Sequence, residues 1–207
     1  MARILHIDAS PRLERSHSRT LAHEFIEAWK KAHPGDTIVY RDLGRKAPAP
    51  PSGEWIAAAY GFVDPGSAKT KALLRESDEI IDEFLAADRV VISAPMHNFN
   101  VSAALKSYID ALVRPARTFE AGPSGLKGLV PAGRKGLVIT ARGGLYAPGS
   151  PWAAYDHQEP ALRTAFGFIG LTDLTFVNAE GINLGEEAKA KGLEGARKRL
   201  AELATTW

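Results

Sequence analysis

Apolar positions along this chain follow two alternating rhythms. Residues 3–9 (RILHIDA), 37–41 (TIVYR), 89–93, 135–140 (KGLVIT) and 174–177 are short apolar runs with the length of strands covered on both faces. Between them, apolar residues recur at helical spacing. Leu21, Phe25, Ala28 and Trp29 do so within residues 17–32, which His33-Pro34-Gly35 ends. Leu73, Leu74, Ile80, Ile81, Phe84 and Leu85 do so within residues 67–87. Residues 102–113 read as a helix with a serine cap that stops before Pro115, and 54–62, 156–169 and 186–204 as three more. The Pro-rich stretch 47–51 is an exposed connection, and the Gly- and Pro-rich stretch 117–133 reads as an ordered loop. Five strands separated by helices predict a parallel sheet with helices on both faces. There is no internal repeat, low-complexity tail or linker, so residues 1–207 read as one α/β domain.

Composition narrows the chemistry. The 207 residues contain no cysteine, which removes disulfides, thiolate metal centres, iron–sulfur clusters and thiol nucleophiles together. Redox work would therefore fall to a bound cofactor. The net charge of +2 lacks the basic excess of a dedicated nucleic-acid binder. No apolar run approaches the ~18 residues of a membrane span, and the N-terminus has no signal-peptide layout. A soluble, cytoplasmic protein without nucleic-acid or membrane partners is the expectation.

In an open α/β sheet a ligand sits at the carboxyl ends of the strands, where strand order reverses. After the first strand, Ser10 to Arg19 (SPRLERSHSR) lacks the G-x-G-x-x-G of dinucleotide sites. It offers hydroxyls and a helix N-terminus, which suit one phosphate, unless Ser16 merely caps the helix. After the third strand, Pro95-Met96-His97-Asn98-Phe99-Asn100 mixes amides with apolar groups, as a flat heteroaromatic ring requires. The competing reading is a turn whose Met96 and Phe99 plug the core. After the fourth strand, Thr140-Ala141-Arg142-Gly143-Gly144 places paired glycines where backbone comes close to something. The competing reading there is a simple turn with its arginine in solvent.

Other motifs fall away. Residues 128–135 (GLVPAGRK) miss the P-loop pattern and precede a strand, and no G-x-S-x-G is present. The six histidines show no metal-ligand spacing, and core or solvated roles are expected for His6, His23 and His33. No metal is expected.

Taken together, the three loops identify a resemblance that covers the whole chain. The sequence resembles the bacterial FMN-dependent NADH-azoreductases, also described as FMN-dependent NADH:quinone oxidoreductases. It does so through Ser10 and Ser16-His17-Ser18, through the Met96–Asn100 segment with the helix Ala103–Asp110, and through Ala141–Gly144. Leu162-Arg163-Thr164 and the segment GFIGLTD at 167–173 extend it. The resemblance implies a flavodoxin-like fold, non-covalent FMN, NADH or NADPH as co-substrate, and a homodimer with sites at the subunit interface. Ser10, Ser16, His17 and Ser18 would then hold the FMN phosphate. Met96, His97, Asn98 and Phe99 would line one side of the isoalloxazine, after Pro95. Ala141, Arg142, Gly143 and Gly144, after Thr140, would meet its pyrimidine side. His97 stands where the family commonly has tyrosine, and Ala141 where it commonly has serine.

The implied reaction is ping-pong hydride transfer, from a nicotinamide to the flavin and then to a quinone or an azo compound. No side chain is assigned as an obligatory acid or base; His97 is the one candidate contributor. Two alternatives stand beside this reading. A flavodoxin-type electron carrier would be smaller and strongly acidic, unlike this chain. A non-redox α/β module would use the serine loop for another phosphate ligand.

Overall fold

The elements follow one another as β1 (Arg3–Asp8), α1 (His17–Ala32), β2 (Thr37–Asp42), α2 (Gly53–Ala59), α3 (Ala68–Leu85), β3 (Arg89–Pro95) and α4 (Ala103–Leu112), then β4 (Phe119–Gly122), β5 (Gly125–Gly128), β6 (Lys135–Ala141), α5 (Gln158–Phe168), β7 (Asp173–Ala179) and α6 (Glu186–Thr206). They are those of a computed structural model that describes residues 1–122 and 125–207. Five strands form one sheet in the order β2-β1-β3-β6-β7, every neighbour parallel. This is the flavodoxin-like order, and the direction of winding reverses between β1 and β3.

Alternation along the strands divides the core in two. Leu5, Ile7, Val90, Ile92 and Val138 pack towards α3, α4 and α5. Ile4, Val91, Leu137 and Ile139 pack towards α1 and α6. Burial of both faces is why the strands read as near-continuous apolar runs. His6 and Asp8 share the parity of Ile4, so they project under α1 although both are polar and buried.

Serines set several helix starts. Ser16, Ser52, Ser67 and Ser102 each accept a backbone N–H three residues on, a cap worth ~1 kcal/mol. Ser102 also donates to the Ala9 carbonyl at 2.9 Å, tying the start of α4 to the end of β1. The expected elements match to within a few residues. Gly61, at φ +73°, follows the end of α2 and accounts for its stopping before Phe62.

One expectation changes. The stretch 117–133 carries an antiparallel pair, β4 with β5, rather than loop alone; its residues 123 and 124 lie outside the described residues. Both strands are four residues long and glycine-bounded, too short for periodicity to register. The pair is anchored by Val130, whose N–H donates to the Ile169 carbonyl at the end of α5. Among the described residues, no helix is long and apolar enough to cross a membrane.

Candidate cofactor cleft

The carboxyl ends of β1, β3 and β6 open into one cleft of about 180 Å³. Ser10, Ser16, His17, Pro95, Met96, His97, Ala141, Arg142 and Gly143 all line it. The three loops singled out in the sequence therefore share one site. At His97 the cleft adjoins a groove of about 550 Å³, lined by Asn98, Asn100, Val101 and Lys106 among others. An elongated ligand can run from the start of α1 across to the β3 and β6 loops.

The α1 end is built for an anion. Ser16 caps the helix, its Oγ accepting from Arg19 N and lying 3.2 Å from Ser18 Oγ. The N–H groups of His17 and Ser18 have no partner among the described residues, as at any helix N-terminus awaiting a ligand. Burial, and then the positive charges of Arg12, Lys189 and Arg197, hold the His17 imidazole below its ordinary pKa. Of these, Arg12 lines the cleft itself. Ser18 itself is fully buried, so its contribution is its N–H and its bond to Ser16 rather than a hydroxyl in the cleft.

The β3 end is a tight turn. His97 and Asn100 exchange both backbone hydrogen bonds, at 2.9 and 3.0 Å. Asn98 (φ +46°) and Phe99 (φ +69°) both occupy the left-handed region, the signature of a type I′ turn. A bulky Phe in that region costs of order 1–3 kcal/mol and persists where the surroundings demand it. Here the turn presents Met96 and His97 to the cleft and puts Asn98 in the adjoining groove. Phe99 does not plug the core; it is half exposed beside Tyr146 and Tyr155. Gln158, wholly buried, donates to the Ala94 carbonyl at 3.1 Å and fixes the strand end from α5.

The β6 end owes its shape to Arg142. Its side chain is 1% exposed and aimed away from solvent, with Nη1 2.8 Å from Asp156 and 3.5 Å from Glu180, and Nη2 3.8 Å from Glu159. Its own N–H donates to the Ala179 carbonyl, so that amide is committed. The carbonyls of Arg142, Gly143 and Gly144 accept from Ile182, Asn183 and Gly181 respectively. The N–H groups of Gly143 and Gly144 stay without a partner among the described residues. Room for a side chain is short at both positions, and at Gly143 only the Asn183 side chain stands in the way. A Cβ on Gly143 would lie 2.7 Å from Asn183 Nδ2, and one on Gly144 would lie 2.2 Å from the Trp152 ring. Gly144 is thus buried beneath Trp152 rather than lining the cleft, and Thr140 turns inward to donate to Asn178 at 2.8 Å.

A model for the flavodoxin-like fold matches residues 2–204. An FMN-dependent NADH:quinone oxidoreductase of Trichormus variabilis is 52% identical over 208 residues, covering all of both chains. The chain belongs to this family. Among solved structures, an azoreductase from Bacillus anthracis str. Sterne superposes with a TM-score of 0.90 at 28% identity, covering 100% of each chain. An FMN-dependent NADH-azoreductase from Bacillus anthracis str. Ames Ancestor, solved in complex with FMN, gives a TM-score of 0.89 at 27% identity, covering 99% of this chain and 98% of that one.

Two features of this oxidoreductase-family site escaped the sequence. Ile182 and Asn183, from the β7–α6 connection, complete the cleft wall. Their signal was Gly181-Ile182-Asn183-Leu184-Gly185, a glycine-bounded segment directly after a strand. The second feature is an aromatic rim, where Phe99, Tyr146, Trp152 and Tyr155 lie ring to ring at 5.5–6.4 Å. Three separate segments supply it, so no local pattern marks it.

Proposed function

We propose that the chain is an FMN-dependent NADH:quinone oxidoreductase, its 207 residues acting as a single FMN-binding domain. The observation that carries this is the convergence of a helix-start anion site, an amide-bearing turn and the unpartnered amide of Gly143 on one cleft. The residues present fit FMN: a phosphate suits Ser10, Ser16 and the His17 and Ser18 amides, and a polar-edged ring suits Met96, His97, Asn98 and Phe99 with Gly143. When bound, FMN supplies hydride acceptance from NADH and hydride donation to an acceptor.

The protein binds, orients and shields. The amide of Gly143 supplies a fixed donor for negative charge on the ring's pyrimidine side, at no reorganisation cost. The strained turn at Asn98 and Phe99 sets the apolar wall against which nicotinamide and acceptor take turns, in a ping-pong order. The rim of Phe99, Trp152 and Tyr155 offers flat apolar faces for stacking an aromatic acceptor. Quinones are the first acceptor class, because the relative at 52% identity is named for them. Aromatic azo compounds, cleaved to amines in two such cycles, are the second, on the likeness to azoreductases at 27–28% identity. No side chain is needed as an obligatory acid or base, and His97 is the one ring nitrogen at the cleft wall beside Met96 that is placed to assist protonation.

The exposed apolar rim also supports a homodimer with the sites at the interface, and dependence on NADH supports a cytoplasmic location. The test is spectroscopic. Under anaerobic conditions the yellow holoprotein should lose its visible absorbance with one equivalent of NADH and regain it with one equivalent of a benzoquinone. Bleaching relieved only by a protein acceptor would point to an electron carrier, and a colourless protein that takes up no FMN would exclude the reading.

A further inference from the structure

A cavity of about 740 Å³, separate from the cofactor cleft, lies against α1 and β2, with His23, Tyr40 and Asp42 in its wall. Behind that wall sits a polar cluster that the expected reaction does not use. His6 and Asp8, two apart on β1, face the same way under α1. His23 descends from α1 to meet them. His6 Nε2 is 3.2 Å from Asp8 Oδ1, and His23 Nε2 is 2.9 Å from Asp8 Oδ2. One nitrogen or oxygen from each of the three residues lies within 4.8 Å of the others. His6 is buried and His23 is half exposed, and their spacing in sequence is uninformative because β1 and α1 supply them separately.

We propose that His6, Asp8 and His23 form a binding site for a divalent transition metal of the zinc class. Two imidazoles and one carboxylate are a donor set that Zn²⁺ accepts, with Co²⁺ and Ni²⁺ as congeners. Bonds of ~2.0–2.1 Å in a tetrahedral shell put neighbouring donors ~3.3 Å apart, close to the two separations above. The independent observation is His6 itself. Its ring is 2% exposed, and its buried Nε2, although 3.2 Å from Asp8 Oδ1, makes no well-aligned hydrogen bond among the described residues. A buried ring nitrogen left without a partner costs stability, and a metal bond removes that cost. Asp8 carries the negative charge that a cation requires, while Arg19 bridges Asp8 and Asp42 and Arg45 pairs with Asp42. Tyr40 donates to Asp8 at 2.8 Å, holding the carboxylate in place as an outer partner does in metal sites. Because α1 begins at the cofactor cleft, a metal here would clamp that helix to β1 and β2 from behind.

The test uses untagged, FMN-loaded protein stripped with a chelator and titrated calorimetrically with Zn²⁺. The wild type should bind one equivalent and melt at a higher temperature with Zn²⁺ than with chelator. His23 is half exposed, so His23→Ala should fold, keep its flavin, bind Zn²⁺ at least ~10-fold more weakly and lose the thermal shift. His33→Ala, outside the cluster, should keep both. Absence of a one-equivalent Zn²⁺ site in the wild type, or equal affinity and equal thermal shift in His23→Ala, would overturn the proposal and leave the cluster a hydrogen-bond network only.

Discussion

Exchanging Ser16 for aspartate is expected to weaken FMN binding by about 100-fold or more while leaving the fold intact. Ser16 lines the cleft and caps α1, its Oγ accepting from Arg19 N. Aspartate caps a helix as well as serine does, so α1 keeps its start. The new carboxylate, however, occupies the seat assigned to the phosphate. Two like charges ~4 Å apart repel by ~4 kcal/mol at the effective dielectric of a partly exposed site. Salt and residual water reduce that, which still leaves roughly two decades in affinity. Melting temperature and the FMN dissociation constant, measured on the same preparation, separate the two effects. A variant that melts like the wild type and binds FMN equally well would remove the phosphate from the α1 terminus.

The second large effect concerns Arg142, whose guanidinium turns to Asp156 and Glu180. Arg142→Met should destabilise the protein by ~3–5 kcal/mol, because it strands the largely buried carboxylates of Asp156 and Glu180 without their cation, while Glu159 keeps Arg163. Against a total stability of ~5–15 kcal/mol that is a large fraction. At this chain length it corresponds to a drop in melting temperature of roughly 10 °C. The loop after β6 should loosen with it, since the Arg142 backbone bonds Ala179 and Ile182 there. Adding Asp156→Asn and Glu180→Gln to the Met variant should recover part of the loss. Asparagine at 156 can still accept both backbone N–H bonds that Asp156 Oδ1 takes from Gln158 and Glu159, and glutamine at 180 keeps one of the two that Glu180 takes from Tyr146 and Ala147. Melting curves of the single and triple variants decide the matter. A single variant that melts within about 2 °C of the wild type would mean that the carboxylates do not depend on Arg142.

What was legible in the sequence is what local rules govern. A strand covered on both faces must be continuously apolar, and a helix over a sheet must repeat its apolar face. The sheet and most helices were therefore readable to within a few residues. The three cleft loops were readable because ligand sites in such sheets lie at strand ends, and Ser16–Ser18, Met96–Phe99 and Gly143 carry unusual residues there. What was not legible arises from contact between distant segments. Arg142 reads as a surface arginine until Asp156, Glu159 and Glu180 arrive from α5 and the end of β7. Asn183 joins the cleft only because β7 pairs with β6. His6, Asp8, His23 and Tyr40 come from three elements, and none of their spacings resembles a metal motif. The β4–β5 pair failed for another reason: four-residue strands are too short to show a period.

The central claim is that this cleft holds FMN by its phosphate at the start of α1 and by its ring between the β3 and β6 loops. Titration of FMN and of riboflavin into the flavin-free protein, followed by flavin fluorescence, tests it most directly. FMN should saturate at one per chain, and riboflavin, which lacks only the phosphate, should bind at least ~100-fold more weakly, a difference of about 2.7 kcal/mol. Riboflavin binding as tightly as FMN, or no saturable FMN binding at all, would contradict the account.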